Sequence, residues 1–330
     1  MVSQSTQASD APTTLDEHGC LRSDLWLDQP DAHDRIDARL AAGSLTADDA
    51  ARLHSFVDRG FLTTSIDLDA AAAAAIDADI NRLWVERRPD LAISLPGPGG
   101  PQSIADYAGT EKVPGYRIPD LHGYSPHAMD LYLHDEIFRL VELVFDQPAI
   151  AFQSLYFEYG SAQGLHRDPM FVSTRPRAHL AAAWIALEDI TPESGPLAYV
   201  PGSHLLPWFA FHEDSIALTH NVPQERRREA QLWMNEQMRE RGLAAQEFTC
   251  RRGDVFIWHG GLVHGGRPIK DTAHTRKSFV VHYSTAANYR DRTARMQVRD
   301  GDGTRLVEGY TDVVVRSRGG RGLDSPMKRR

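Results

Sequence analysis

The order of apolar and polar positions divides the chain near residue 150. Before that point apolar residues recur at helical spacing; beyond it they come in short runs of strand length. The stretch "LTADDAARLHSFVDRG" (45–60) predicts a helix with Thr46 as its cap, Asp49 at the capping-box position and Gly60 at its end. "FLTTSID" reads as a short strand. Ile76, Ile80, Leu83 and Trp84 then fall at i, i+4, i+7 and i+8, one face of a second helix. "RRPDLAISLPGPGGPQS" (87–103) contains an uninterrupted run of prolines and glycines and predicts a surface loop or lid. Ser125-Pro126 opens a further helix, with Leu133, Ile137, Leu140, Val141 and Val144 as its buried stripe.

After residue 150 the runs "AFQSLYFEYG", "HLAAAWIALEDI", "PLAYVPGSH", "EFTCRRGDVFIWHGG" and "TRKSFVVHYST" are β-branched or aromatic and punctuated by Gly, Pro and Ser. One charged helix, "QERRREAQLWMNEQMRERG", interrupts them and closes at Gly242. Helices followed by many short strands imply an α+β protein whose chemistry sits on a β-barrel or sandwich. The expected organisation is a mobile leader (1–18) and one domain (19–315), followed by a basic tail (316–330). Within the domain, 45–147 is the helical part and about 148–290 the strand core. No internal repeat is visible.

Composition narrows the class. The 36 basic and 45 acidic residues give a net charge of −9, which argues against a nucleic-acid surface, since phosphate binding needs clustered Lys and Arg. Cys20 and Cys250 form no CxxC pattern, and Cys250 reads as a packed thiol. No apolar run is long enough to span a membrane, and a cytoplasmic, reducing compartment is expected.

The chemistry lies among the histidines. Three His-x-acid tripeptides occur, starting at His134, His166 and His212, where about two are expected by chance in a chain of this composition. His134-Asp135-Glu136 falls in a predicted helix, where residues two apart do not share a face. His212-Glu213-Asp214 belongs to no clear strand. His166 and Asp168 follow directly on the strand "SLYFEYG", so their side chains can point to one side. Two histidines and one carboxylate with open positions is the ligand set of non-haem Fe(II). The distal histidine must come from His259, His264, His274 or His282. Arg276, Ser278, Val280 and His282 share one strand face, and an arginine turned into an apolar interior calls for an anion there. A dicarboxylate would meet it, gripped by the guanidinium fork with help from Ser278.

Together "GLHRDPMF", "AAAWIALEDITPESGPLAYVPGSH", "RGDVFIWHGGLVHGG" and "TRKSFVVHYS" resemble the phytanoyl-CoA hydroxylase-like family of Fe(II)/2-oxoglutarate dioxygenases over roughly residues 45–290. The resemblance implies a double-stranded β-helix, a cupin-like jelly-roll barrel, with N-terminal and inserted helices. It assigns the metal to His166, Asp168 and His264 and the distal cosubstrate carboxylate to Arg276. Trp184 matches a family tryptophan near the cosubstrate, and His259 matches a histidine that is not a ligand. Gln163, Tyr156 and Gln153 are further candidates for contact with cosubstrate or substrate. The implied reaction consumes O2 and 2-oxoglutarate, with ascorbate as a candidate reductant. It releases succinate and CO2 and hydroxylates a small or medium-sized metabolite or biosynthetic intermediate, expected to be polar. Related halogenases lack the carboxylate that Asp168 supplies, so hydroxylation is expected over chlorination. The ectoine-hydroxylase signature around the His-x-Asp is absent, which argues against that substrate. The competing readings are a cupin-type metal-binding barrel, an isomerase or a binding protein, and an inactive family member acting as a binding module. Arg276 separates the first from an oxygenase; the intact triad argues against the second.

Overall fold

Capping chemistry starts and stops the first helices where the periodicity places them. The computed structural model describes residues 23–285 except 98–100, 162, 173, 175, 177, 212–215, 219–221 and 272, with residue 288 and the backbone of three strands between 294 and 314. The expected leader and tail lie outside the described residues. Helix α1 (Ala32–Ala41), not anticipated from the pattern, packs on α2 (Ala47–Arg59). The Thr46 side chain accepts from the Asp49 amide at 3.1 Å, and Gly60 ends α2 at φ +79°. A Cβ at Gly60 would also stand 2.6 Å from His204 Nδ1, so glycine is required there twice over. Strand β1 (Phe61–Ser65) and α3 (Ala70–Glu86) follow, and Ile76, Ile80, Leu83 and Trp84 are buried as the spacing predicts.

Two expectations need correction. The segment read as loop contains a short ribbon, in which β2 (Ala92–Ile93) pairs with β3 (Gln102–Ser103). Leu91, Ile93 and Ile104 bury into the helical core and pin the ribbon down; its tip at 98–100 lies outside the described residues. Beyond β4 (Arg117–Pro119), the single helix expected from Ser125 is two helices, α4 (Pro126–Tyr132) and α5 (Asp135–Phe145). His134 takes extended angles (φ −64°, ψ 123°) between them, and Asp135 and Glu136 then open α5. Acidic side chains favour a new N-terminus there, facing its free amides.

The strand-rich half contributes β5 (Ala149–Phe157), β6 (Ala181–Ala186), β7 (Leu197–Tyr199), β8 (Gln246–Phe248), β9 (Asp254–His259), β10 (His264–Gly266) and β11 (Ser278–Thr285). The charged helix α6 (Gln224–Glu240) lies between β7 and β8. One antiparallel sheet runs β1-β9-β6-β11-β5-β4 and a smaller one β10-β7-β8. Strands β12 (Ala294–Asp300), β13 (Gly303–Val307) and β14 (Tyr310–Val314) form a third sheet past the strand core expected to end near 290.

Strand alternation gives the six-stranded sheet two buried faces. Tyr156, Ala183, Ile257, Phe279 and Val281 point to the helices and join one core with residues of α1 to α5. Phe157, Ala182, Trp184, Phe256, Trp258 and Val280 point the other way and join a second core with Leu197 and Tyr199 of β7. The functional site opens from that inner face.

Candidate metal centre

A narrow antiparallel bridge brings the two histidines of the triad together. The His166 amide donates to the His264 carbonyl at 2.9 Å and the His264 amide returns a bond at 3.0 Å. Their rings sit 4.5 Å apart, centre to centre. Asp168 then opens a single 3-10 turn with Pro169, closed by the Phe171 amide on the Asp168 carbonyl at 2.8 Å. Ligand atoms of His166, Asp168 and His264 all lie within 4.8 Å of one another. The two Nε2 atoms stand 3.7 and 3.5 Å from Asp168 Oδ1. That spacing suits one transition-metal ion with bonds of about 2 Å.

The remaining atoms of the triad are held in the ligating state. His166 Nδ1 faces the Gly164 carbonyl at 2.8 Å and His264 Nδ1 faces the Leu262 carbonyl at 3.0 Å. Only an N–H can satisfy a carbonyl, so each Nδ1 carries the proton and each Nε2 presents its lone pair to the shared point. Trp258 Nε1 donates to Asp168 Oδ2 at 2.8 Å, which leaves Oδ1 turned to the histidines. His282 Nε2 stands 3.7 Å from the same Oδ2. Burial, reinforced by His264, lowers His166 to about 4, so the imidazole is neutral near pH 7. Burial pushes the Asp168 carboxyl up, but His264 and His282 outweigh it and hold the group well below the usual carboxylate range.

A cavity of about 60 Å³ joins the triad to Arg276. Leu155, Phe157, Trp184 and Val280 form its apolar wall. Arg276 is 2% exposed, and its guanidinium carbon lies 5.9 and 6.0 Å from the ring centres of Trp184 and Phe157. Its Nε has no hydrogen-bond partner, and among the described residues no carboxylate acts on its charge. Burial lowers the guanidinium to about 10. Gly160, at φ +75°, backs the group so closely that a Cβ would stand 2.7 Å from Nε. Ser278 Oγ and Trp184 Nε1 are also buried without partners, and Ser278 shares the inward face of β11 by strand parity. A buried cation with no counter-charge costs several kcal/mol, so the pocket is organised for an anion.

The other sequence candidates separate by strand phase. Gln163 lines the cavity. Tyr156 does not: it lies on the opposite face of β5, 0% exposed among the helical core residues, because it is one residue out of phase with Leu155 and Phe157. Gln153 sits opposite His282 across β5 and β11. His259 turns away and places Nε2 3.2 Å from Asp28 Oδ2. His274 is on the surface beside Asp271, 3.6 Å away. His212, Glu213 and Asp214 lie outside the described residues. Sequence reasoning passed over Trp258; alternation in "DVFIWH" places it on the inner face, but nothing local signals that its indole reaches Asp168. Cys250 is half-buried, and burial pushes its thiol up to about 12, as suits a packed thiol.

Comparison with known proteins supplies the family. The phytanoyl-CoA dioxygenase (PhyH) family profile matches residues 58–278, and the chain belongs to that family. Phytanoyl-CoA dioxygenase domain-containing protein 1 of Mus musculus is 26% identical over 204 residues, which are 56% of this chain and 64% of that protein. Among solved structures, the non-haem alpha-ketoglutarate-dependent carbocyclase SnoK from nogalamycin biosynthesis superposes with a TM-score of 0.54 at 19% identity, covering 74% of this chain and 86% of its own. The epimerase SnoN, in complex with Fe3+, alpha-ketoglutarate and nogalamycin RO, gives 0.52 at 20% identity, covering 90% and 100%. At these identities the likeness establishes a common fold. Among the described residues no helix is long and apolar enough to cross a membrane.

Proposed function

We propose that this member of the phytanoyl-CoA dioxygenase family is an Fe(II)/2-oxoglutarate-dependent oxygenase that hydroxylates a small or medium-sized organic substrate. The observation that carries the reading is the pairing of a His-Asp-His triad with a buried, unpartnered guanidinium across one small cavity. The antiparallel sheets enclosing it are read as a double-stranded β-helix, and the domain as one catalytic unit.

His166, Asp168 and His264 would hold the iron. Two neutral imidazoles and one carboxylate fit a divalent ion and leave positions open for exchangeable ligands. With 2-oxoglutarate and O2 the bound iron supplies oxidative decarboxylation to succinate and CO2, the second oxygen atom entering a substrate C–H bond as hydroxyl. The chain's own residues orient and exclude. Arg276 would grip the far carboxylate of 2-oxoglutarate with its planar fork, and Ser278 and Trp184 offer further donors. Leu155, Phe157 and Val280 keep water from the cosubstrate. Trp258 holds Asp168 so that one carboxylate oxygen faces the iron. Asp168 would supply the anionic ligand that chlorination requires to be absent, which favours hydroxylation. A cupin-type isomerase or binding barrel has no use for Arg276.

The test is calorimetric titration of the anaerobic, Fe(II)-loaded chain with 2-oxoglutarate, followed by succinate formation in air. Iron-dependent binding of 2-oxoglutarate supports the reading. A chain that holds iron but ignores 2-oxoglutarate is a metal-binding barrel of another kind.

A further inference from the structure

A second cavity, about 240 Å³, opens on the other side of His166. Gln163 and His166 line both cavities, so one ligand of the triad lies at their junction. The far wall is one face of α6, the charged helix that the chemistry above leaves unused. Arg227, Ala230, Gln231 and Met234 stand there at i, i+3, i+4 and i+7. Met170, Phe171, Trp208 and Phe211 also line it, Phe211 in one apolar cluster with Ala230.

We propose that this cavity is the substrate site and takes a flat, largely apolar molecule, aromatic or polycyclic, with a hydrogen-bond acceptor at one end. The proposal rests on the oxygenase reading above and names the substrate class of that site. Its lining decides the body of the molecule. The aromatic rings come from both walls, and Phe209 packs 5.5 Å from Phe211 and 5.8 Å from Trp233, which stiffens the slot. A sugar or amino acid would bring more hydroxyls or charges than Gln163 and Gln231 can pair, at about 1–3 kcal/mol for each unpaired group. Phe171 stands edge-on to His166 at 5.5 Å and is 51% exposed, an apolar ring left open beside the metal position.

The buried cation nearest the triad does not change this conclusion. Arg167 donates to the carbonyls of Ser203, Leu206 and Pro207 and lies over the Trp208 ring at 4.4 Å, so its charge is spent on building the wall. On α6 the polar groups of the lining are Arg227, whose Nε donates to the Val222 carbonyl at 3.0 Å, and Gln231, which is exposed at the mouth. Met234 is buried about 10 Å from Arg227 along the helix axis. The acceptor end of the substrate therefore faces the exposed Gln231 at the mouth, and its apolar body lies against buried Met234. The polar metabolite expected from the family resemblance narrows, in this reading, to a molecule with one polar end on an apolar body.

The test uses the full chain loaded anaerobically with Fe(II) and 2-oxoglutarate, titrated with 2-naphthoate and with L-proline. The naphthoate should bind about tenfold more tightly or better, and the iron should enhance relaxation of its ring protons. Met234→Glu, which sets a charge in the apolar end, and Gln231→Trp, which fills the mouth from an exposed position, should each weaken it about tenfold. Equal affinity for proline, or naphthoate binding untouched by Gln231→Trp, overturns the proposal; so does absent relaxation enhancement in a chain that holds iron. If the chain binds neither iron nor 2-oxoglutarate, the oxygenase reading fails, while the naphthoate titration still reads the cavity on its own.

Discussion

The two faces of the six-stranded sheet are built from the same strands yet finished differently. On the helical side, Tyr156, Ala183, Ile257, Phe279 and Val281 meet apolar residues of α1 to α5. The polar atoms left without partners on those strands are the Tyr156 and Tyr283 hydroxyls, both neutral. On the inner side the same strands carry Ser278 Oγ, Trp184 Nε1 and His282 Nδ1 without partners, and Arg276 Nε, just before β11, joins them beside a triad of ligating groups. An unpaired hydroxyl costs about 1–3 kcal/mol and an unpaired buried charge considerably more. One face is therefore finished by folding alone, whereas the other keeps a cost that only a metal and an anion can remove. Each experiment below pushes on that difference.

The largest effect is expected at the triad. His264→Ala should remove iron and turnover together, read by metal analysis and succinate formation. His259→Ala, five residues earlier, should keep most of the iron, because its ring is engaged by Asp28 and by the Gly261 amide at 2.8 Å. Trp258→Phe should fall between them, losing about 10–100-fold in metal affinity with the 2.8 Å bond to Asp168. Full iron occupancy in His264→Ala would reassign the ligand.

Next comes the unpaired cation. Arg276→Met should weaken 2-oxoglutarate binding about 100-fold, the worth of a charge-assisted, bidentate contact. The same substitution should leave the ligand-free protein as stable or more stable, by about 1–3 kcal/mol, since an apolar side chain replaces an uncompensated charge. These opposite signs are the signature of a group kept for its ligand. A fall in ligand-free melting temperature would mean that Arg276 already has a structural partner.

Much of this comparison was legible in the sequence, and the limits of its legibility have physical causes. The strands, their alternation, the His-x-Asp and Arg-x-Ser are local patterns, so the α+β class and the inward face of β11 were readable. The break at His134 was not, because one continuous apolar stripe serves two helices as well as one. The phase of β5 was open as well: "QSLYF" alternates too weakly to say whether Tyr156 or Phe157 faces inward. Which histidine pairs with His166 is a matter of bridge partners 98 positions apart in the numbering, set by the sheet and by no local signal. The substrate cavity was least legible, since its wall is one face of a helix whose other faces are strongly charged.

Acidification should act through the buried histidines on both sides of the sheet. Burial lowers His166 to about 4 and His204 to about 3, whereas both titrate near 6.5 when unfolded. Each folded value is depressed, so the unfolded chain takes up more protons as pH falls below about 6.5. Stability present above that pH is then lost down to the folded values, at about 1.4 kcal/mol per pH unit for each group. Denaturant midpoints of the metal-free chain at pH 7, 6 and 5 should fall progressively. In His204→Gln, which can keep a donor toward the Val57 carbonyl, the slope should become shallower, with His166 and His179 still contributing. A slope unchanged by that substitution would place the acid sensitivity elsewhere.

The smallest effect belongs to the helical face. Tyr156 is 0% exposed, its hydroxyl has no partner, and burial holds the phenol well above its ordinary range, so it stays neutral at any working pH. Its neighbour Phe157 points the other way, toward Arg276. Tyr156→Phe removes an unsatisfied hydroxyl and little else. Stability should rise or stay level within about 1 kcal/mol, measured by denaturant unfolding. Affinity for 2-oxoglutarate should not move, because one residue of strand phase puts a sheet's thickness between the side chain and the cosubstrate pocket. A loss of more than about threefold in that affinity would mean that the phase of β5 is misassigned, and the contrast between the two faces would have to be redrawn.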